Sequence, residues 1–217
     1  MIRNPNNHNH KLHTGETYQQ YPTIIGYGAL IENYLDALHF TLQRALAEHP
    51  RTLAVRFDLR YPQWMTAGQL DFSNEVIKGF FKSLKAIIKH DRAGAAHRTS
   101  VRYVWAREVG FDSCDGRPHF HVLLLLNRDA YRILGSFDSQ EENLYKRIRA
   151  AWARALDLPD ELGAGLAYIP ENPVYKLDRG DHQAYGEVFY RASYLCKQVT
   201  KDCGFEGRYH SFGHSRI

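Results

Sequence analysis

Cysteine is scarce in these 217 residues. The three present, Cys114, Cys196 and Cys203, form no CxxC pair and leave one over. That excludes a disulfide scaffold and a zinc-spaced cysteine set, and it fits reduced thiols in a cytoplasmic compartment. Long apolar runs are missing too. The longest, residues 122–126, is far short of the roughly 20 residues a spanning helix needs, so no membrane partner is expected. The first ten residues, Met1-Ile-Arg-Asn-Pro-Asn-Asn-His-Asn-His10, hold no apolar stretch and do not read as a secretory signal. There is no GxxxxGK[ST] loop, hence no built-in NTPase, and no glycine-rich dinucleotide loop. No repeat with a period of about 20–50 residues is visible.

What is present is ordinary globular material: 44% apolar and 24% charged residues, enough for a real core. At roughly 150 residues per domain the length implies one domain. We expect a polar N-terminal tail over 1–22 and a single domain over 23–217. The net charge of +4 is unevenly spread. Residues 51–127 carry twelve basic and seven acidic groups, whereas 128–217 carry thirteen of each. A polyanion would meet the middle of the chain.

Over 28–47 the residues Leu30, Ile31, Tyr34, Leu35, Leu38, Leu42 and Leu46 recur at helical spacing. Residues 52–61 alternate until Pro62 and predict a strand. Residues 74–90 predict an amphipathic helix whose Lys78, Lys82, Lys85 and Lys89 form a stripe, ordinarily a solvated face. Strands follow over 100–109 and 119–126, joined by a turn carrying Asp115-Gly116. Then come a helix over 141–156, a short strand over 165–169, a strand or loop over 174–177, a last helix over 182–201 and an irregular end. The middle of this order, β-α-β-β-α-β, is the ferredoxin-like α+β pattern: one antiparallel sheet with helices packed on one side.

His119 and His121 lie two apart on a strand and so point to the same face. Two such imidazoles are able to hold one divalent metal, although a short HxH is more often a pair of surface or capping histidines. Glu108, near the end of the preceding strand, is either an exposed strand carboxylate, the commoner case for a lone Glu, or a residue lying across the hairpin from them. Two histidines and a carboxylate with open positions present a metal to a substrate, and Mn²⁺ suits that set better than Mg²⁺. On the last predicted helix Tyr190, Tyr194, Lys197 and Lys201 share one face. Tyrosines so spaced usually pack, but the lysines argue against deep burial. A phenol has a pKa near 10, and a neighbouring ammonium or metal stabilises its phenolate. Tyrosine, lysine and metal together suit a phosphodiester-cleaving site that leaves a phosphotyrosine.

The order strand, Glu108, His119-Phe-His121, Tyr194-Leu-Cys-Lys197 resembles the HUH endonucleases of the rolling-circle replication-initiator branch. More narrowly, the chain resembles the inovirus gene II protein-like family, also labelled YagK/YfjJ C-terminal domain. The segments that carry this are Arg51-Thr-Leu-Ala-Val-Arg-Phe-Asp-Leu-Arg-Tyr-Pro62, Arg107-Glu-Val-Gly110 with Gly116-Arg-Pro-His-Phe-His-Val-Leu124, Ala192-Ser-Tyr-Leu-Cys-Lys-Gln198 and Tyr209-His-Ser-Phe-Gly213. The resemblance implies a nickase and ligase of a phage, prophage or related element. His119 and His121 would bind the metal with Glu108 as third ligand. Tyr194 would attack single-stranded or hairpin origin DNA, Lys197 would assist, and Tyr190 would be a second nucleophile or a packing residue. The first strand, with Arg56, Asp58 and Arg60, would be more structural than catalytic, and a host helicase would unwind. DNA contacts are expected from Lys78, Lys82, Lys85, Lys89, Arg102, Arg107, Arg117 and Lys201. Two other classes fit the same fold: a non-catalytic DNA-binding relic, and an RNA-binding module.

Overall fold

The computed structural model describes residues 2–216 apart from 71–72, 110–116, 137, 164 and 200–209. Five short strands come first: β1 (Ile2–Arg3), β2 (Lys11–His13), β3 (Thr17–Tyr18), β4 (Tyr21–Pro22) and β5 (Leu30–Ile31). Helix α1 (Glu32–Glu48) leads to β6 (Arg51–Arg60), α2 (Glu75–Asp91), β7 (Arg102–Val109) and β8 (Pro118–Asn127). The chain closes with α3 (Leu144–Ala155), β9 (Ala167–Tyr168), β10 (Val174–Asp178), α4 (His182–Ser193) and β11 (Phe212–His214).

The main sheet runs β10-β6-β8-β7-β11, every pair antiparallel, with β9 sharing the β10 edge of β6. Counting only the predicted β-α-β-β-α-β unit, its strands lie in the order 4-1-3-2, the arrangement of a ferredoxin-like sheet. The fold is α+β, as expected. The fourth position is filled by two pieces, β10 against residues 51–55 of β6 and β9 against 58–59.

Helices cover both faces, not one. Leu53, Val55, Phe57 and Leu59 of β6 pack with Phe80 and Leu84 of α2 and Trp152 of α3. Ala54 of β6 and Leu123 and Leu125 of β8 face Leu35, Leu38 and Leu42 of α1 and Val188 and Phe189 of α4. The physical reason is the run in β8: residues apolar on both sides of a strand need cover on both sides. Burying Trp152 also satisfies its indole N–H, which donates to the Arg60 carbonyl at 2.8 Å.

Residues 2–22 are not a tail. β1 and β5 flank β2, β3 pairs β4, and Leu12 and Tyr21 are buried. The asparagines of this stretch close local turns: Asn4 Oδ1 accepts from the Asn6 N–H at 2.9 Å and Asn7 Oδ1 from the Asn9 N–H at 3.1 Å. Helix α1 starts at Glu32 because Leu30 and Ile31 are committed to pairing with β2.

The last helix also departs from expectation. Capped by the Asp181 side chain, which accepts from the Ala184 N–H at 2.9 Å, it ends at Ser193 instead of continuing to 201. Tyr194–Cys196 tightens to a 3₁₀ turn, and Lys197 is extended (φ −59°, ψ 138°). Lys197 then bridges to Leu30, and the Gln198 N–H donates to the Ala29 carbonyl at 2.9 Å. Leu195 and Cys196 are fully buried in the process. Sheet-like hydrogen bonds and that burial outweigh continued helix, so Tyr190, Tyr194 and Lys197 share no helical face; Lys201 lies outside the described residues.

Candidate active site

Strand alternation places Arg56 and Asp58 of β6, Glu108 of β7, and His119 and His121 of β8 on the α1/α4 face. Register brings them side by side: Asp58 opposite His121, and Glu108 opposite His119. All five are buried, at 6% exposure or less. Buried ionisable groups at the end of a sheet are costly unless paired, and here the pairing is specific.

Glu108 is the hub. Its Oε2 lies 3.0 Å from Lys197 Nζ, 3.1 Å from His121 Nε2 and 4.0 Å from His119 Nε2. Glu108, His119 and His121 offer ligand atoms all within 4.8 Å of one another, the one such group of three among the described residues. His121 Nε2, although close to Glu108, makes no hydrogen bond, and neither does His119 Nδ1. A buried His121 Nε2 without a hydrogen bond beside the Glu108 carboxylate, with His119 Nε2 4.0 Å from the same carboxylate, gives a donor set that fits a divalent cation.

Asp58 sets the tautomer of His121. Its Oδ1 is 2.6 Å from His121 Nδ1, a contact that puts the proton on Nδ1 and leaves Nε2 its lone pair. Arg56 Nη2 is also 2.7 Å from Nδ1 and would select the opposite tautomer, but an ionised carboxylate only accepts. Burial alone would raise the Asp58 carboxyl. The hydrogen bond with His121 and the charge of Arg56, which is paired directly with it, instead hold it well below the usual carboxylate range. A carboxylate behind a ligand histidine is the usual second layer of a metal site. His119 is neutral at pH 7: burial, then the neighbouring His121, push it down to about 4.

The 3₁₀ turn delivers the remaining groups. The Tyr194 ring meets His121 edge-on with centroids 5.3 Å apart, and Lys197 Nζ lies 3.6 Å from the Tyr194 ring centroid. Tyr27, from the segment between β4 and β5, meets Tyr194 edge-on at 5.0 Å. The Ile24 N–H donates to Ser193 Oγ at 3.0 Å and ties that segment over the end of α4. A cleft of about 210 Å³ opens here, lined by Tyr27, Arg56, Asp58, His121, Arg191 and Tyr194 together with Ile24 and Pro170.

Thus Glu108, His119, His121, Tyr194 and Lys197 come together as expected. Tyr190 does not: it is 44% exposed and lines a separate groove with Tyr21, Pro22 and His182. Most of the expected DNA contacts lie elsewhere. Lys78, Lys82, Lys85 and Lys89 are exposed on α2, which covers the opposite face of the sheet, and Lys78 pairs with Glu75 at 2.6 Å. Arg102 pairs with Glu48 six residues along β7 from Glu108, about 20 Å at ~3.3 Å per residue. Arg107 is buried on the α2 side, donating to Asn74 Oδ1 at 3.4 Å. Arg117 donates to the Pro62 and Met65 carbonyls at 3.0 and 2.8 Å and acts as a loop tether. The Asp115-Gly116 turn lies outside the described residues. The sequence carries little signal for Asp58 and none for Arg191 or Tyr27: the register of β6 against β8 brings in Asp58, the packing of α4 on the sheet brings in Arg191, and the path of the first 30 residues brings in Tyr27.

No helix among the described residues is long and apolar enough to cross a membrane. The sequence pattern of the YagK/YfjJ C-terminal domain matches residues 13–215. The chain is 34% identical over 205 residues to YagK, an uncharacterized protein of Escherichia coli (strain K12), covering 88% of this chain and 96% of that one. It is 30% identical over 208 residues to YfjJ, an uncharacterized protein of the same strain, covering 88% and 97%. No solved structure matches.

Proposed function

The chain belongs to the YagK/YfjJ C-terminal domain family, and we propose that it is a metal-dependent nickase of single-stranded DNA, an HUH-type initiator of rolling-circle replication like the inovirus gene II proteins. The observation that supports this best is the arrival of Tyr194 and Lys197, from beyond α4, against a buried Glu108–His119–His121 group in which His121 Nε2 has no hydrogen bond. Packing alone does not call for that combination, since burying three ionisable groups costs free energy.

Glu108, His119 and His121 would hold the cation, Mn²⁺ or Mg²⁺, with Asp58 orienting His121. When bound, it supplies Lewis-acid polarisation of a phosphate oxygen. Tyr194 Oη attacks phosphorus and the P–O3′ bond breaks. The 5′ phosphate stays on the tyrosine, and the 3′ oxygen leaves as a hydroxyl with the proton the phenol gives up through solvent. Lys197 lowers the cost of the phenolate with its fixed positive charge. The reverse reaction, attack by a 3′-OH on the phosphotyrosine, rejoins the strand. Helicase action belongs to a separate host protein in this reading, since the chain carries no NTPase loop.

The test incubates purified protein with single-stranded and hairpin DNA pools, including the sequence flanking its own gene, in Mn²⁺ or EDTA and resolves the products on denaturing gels. A covalent protein–DNA band that needs metal and is lost in Tyr194→Phe, but not in Tyr190→Phe, is the expected result. Tight binding with no such band would refute the nickase and support a DNA-binding protein on the same fold.

A further inference from the structure

The charges around the Tyr194 cleft nearly cancel. Among the lining residues Arg56 is paired with Asp58, which Arg60 also reaches at 3.9 Å without lining the cleft, and behind them Lys197 is paired with Glu108. Arg191 is left over. It lines the cleft from α4, three residues before Tyr194, and makes no ion pair with any described residue. Its obvious partner is Glu187, four residues earlier on the helix, but that carboxylate accepts from Gln183 Nε2 at 3.3 Å and forms no bridge to Arg191. The cleft lining therefore holds one surplus fixed positive charge beside the nucleophile. On its rim Tyr27 is 52% exposed although it sits edge-on to Tyr194 and 5.7 Å from Lys197 Nζ. The volume of about 210 Å³ is below the ~300–1,000 Å³ that encloses a whole small molecule.

We infer that this cleft receives one nucleotide unit of a DNA strand, with Arg191 gripping the phosphate that Tyr194 attacks and Tyr27 stacking an adjoining base. The inference rests on the nickase reading for the identity of the phosphate and on the cleft itself for the contacts. A guanidinium suits the two non-bridging oxygens of a phosphodiester, and an exposed phenol ring offers a face to any base without choosing its sequence. The segment carrying Tyr27, which sequence alone places just beyond a tail, becomes half of the substrate site.

The experiment measures binding of a fluorescent single-stranded oligonucleotide to the Tyr194→Phe protein in EDTA, where no cleavage occurs, with adduct formation followed separately in the Tyr194 enzyme. Arg191→Ala should flatten the plot of log affinity against log salt by about 0.7, the loss of one single-strand phosphate contact. In the adduct assay it should raise KM, with Arg191→Lys recovering part of the loss. Tyr27→Ala should weaken binding about 5- to 150-fold and Tyr27→Phe hardly at all. An abasic nucleotide, placed in turn on each side of the cut, should abolish the Tyr27→Ala effect at one position; this perturbs the substrate and not the fold. An unchanged salt slope in Arg191→Ala, or an equal Tyr27→Ala penalty on every abasic oligonucleotide, overturns the inference. Adducts formed without these dependences leave the nickase standing and remove the nucleotide site. Binding with these dependences but no adducts does the reverse.

Discussion

Lys197→Met tests the electrostatic logic of the centre directly. Lys197 and Glu108 are 4% and 3% exposed and their charges are 3.0 Å apart. Such a pair adds little net stability over an apolar equivalent, but breaking a buried pair by removing one member typically costs about 3–5 kcal/mol. For a chain of this size, with Tm falling about 2–4 °C per kcal/mol, that is roughly 6–20 °C in EDTA. The methionine keeps most of the aliphatic stem, so lost packing contributes little. Mn²⁺ should then stabilise the variant more than the wild type, because the ion brings beside Glu108 a positive charge that the wild type already has in its ammonium. At a hundredfold excess over Kd, binding is worth about 2.7 kcal/mol. Thermal melts of both proteins in EDTA and across a Mn²⁺ series measure it. A variant within about 2 °C of wild type in EDTA, or equal Mn²⁺ increments in the two, would refute the placement of Glu108 as a charge hub shared by lysine and metal.

Three further outcomes are expected. His119 takes a proton near 6.5 when unfolded but only at about 4 when folded, so the unfolded chain binds the extra proton between those values. Urea stability in EDTA should therefore fall as pH drops from 6.5 to 4, and His119→Asn should make the decline shallower; parallel declines would contradict the burial argument. Asp58→Asn, which removes the charge behind His121, should weaken Mn²⁺ binding about 10- to 100-fold by calorimetric titration with the fold retained, and unaltered affinity would remove Asp58 from the site. Gly213, on β11, leaves no room for a side chain: a Cβ would sit 2.6–2.7 Å from three atoms of the Trp105 indole. Gly213→Ala should cost about 1–3 kcal/mol in urea unfolding, and an unchanged midpoint would mean β11 does not pack there.

The β-α-β-β-α-β order could be read from periodicity because each strand and helix of that unit carries its own repeat of apolar residues, a local property. His119 and His121 sharing a face follows from strand geometry alone. These parts needed no tertiary information. Long-range pairing decided the rest. Residues 2–22 are ordered by β2 bonding to β5 and by the buried Asn4, Leu12 and Tyr21, none of which composition reveals. The last helix stops at Ser193 because Lys197 and Gln198 find partners at Leu30 and Ala29, 167 to 169 residues earlier. That early stop turns Tyr194 and Lys197 toward Glu108 and His121, while Tyr190 is left on the outer surface. The lysine stripe of α2 kept its solvated character, on the far side of the sheet from the centre. Local hydrophobic pattern specifies elements and faces; which ionisable groups meet is settled by register and by where the chain ends each element, and those depend on partners distant in sequence.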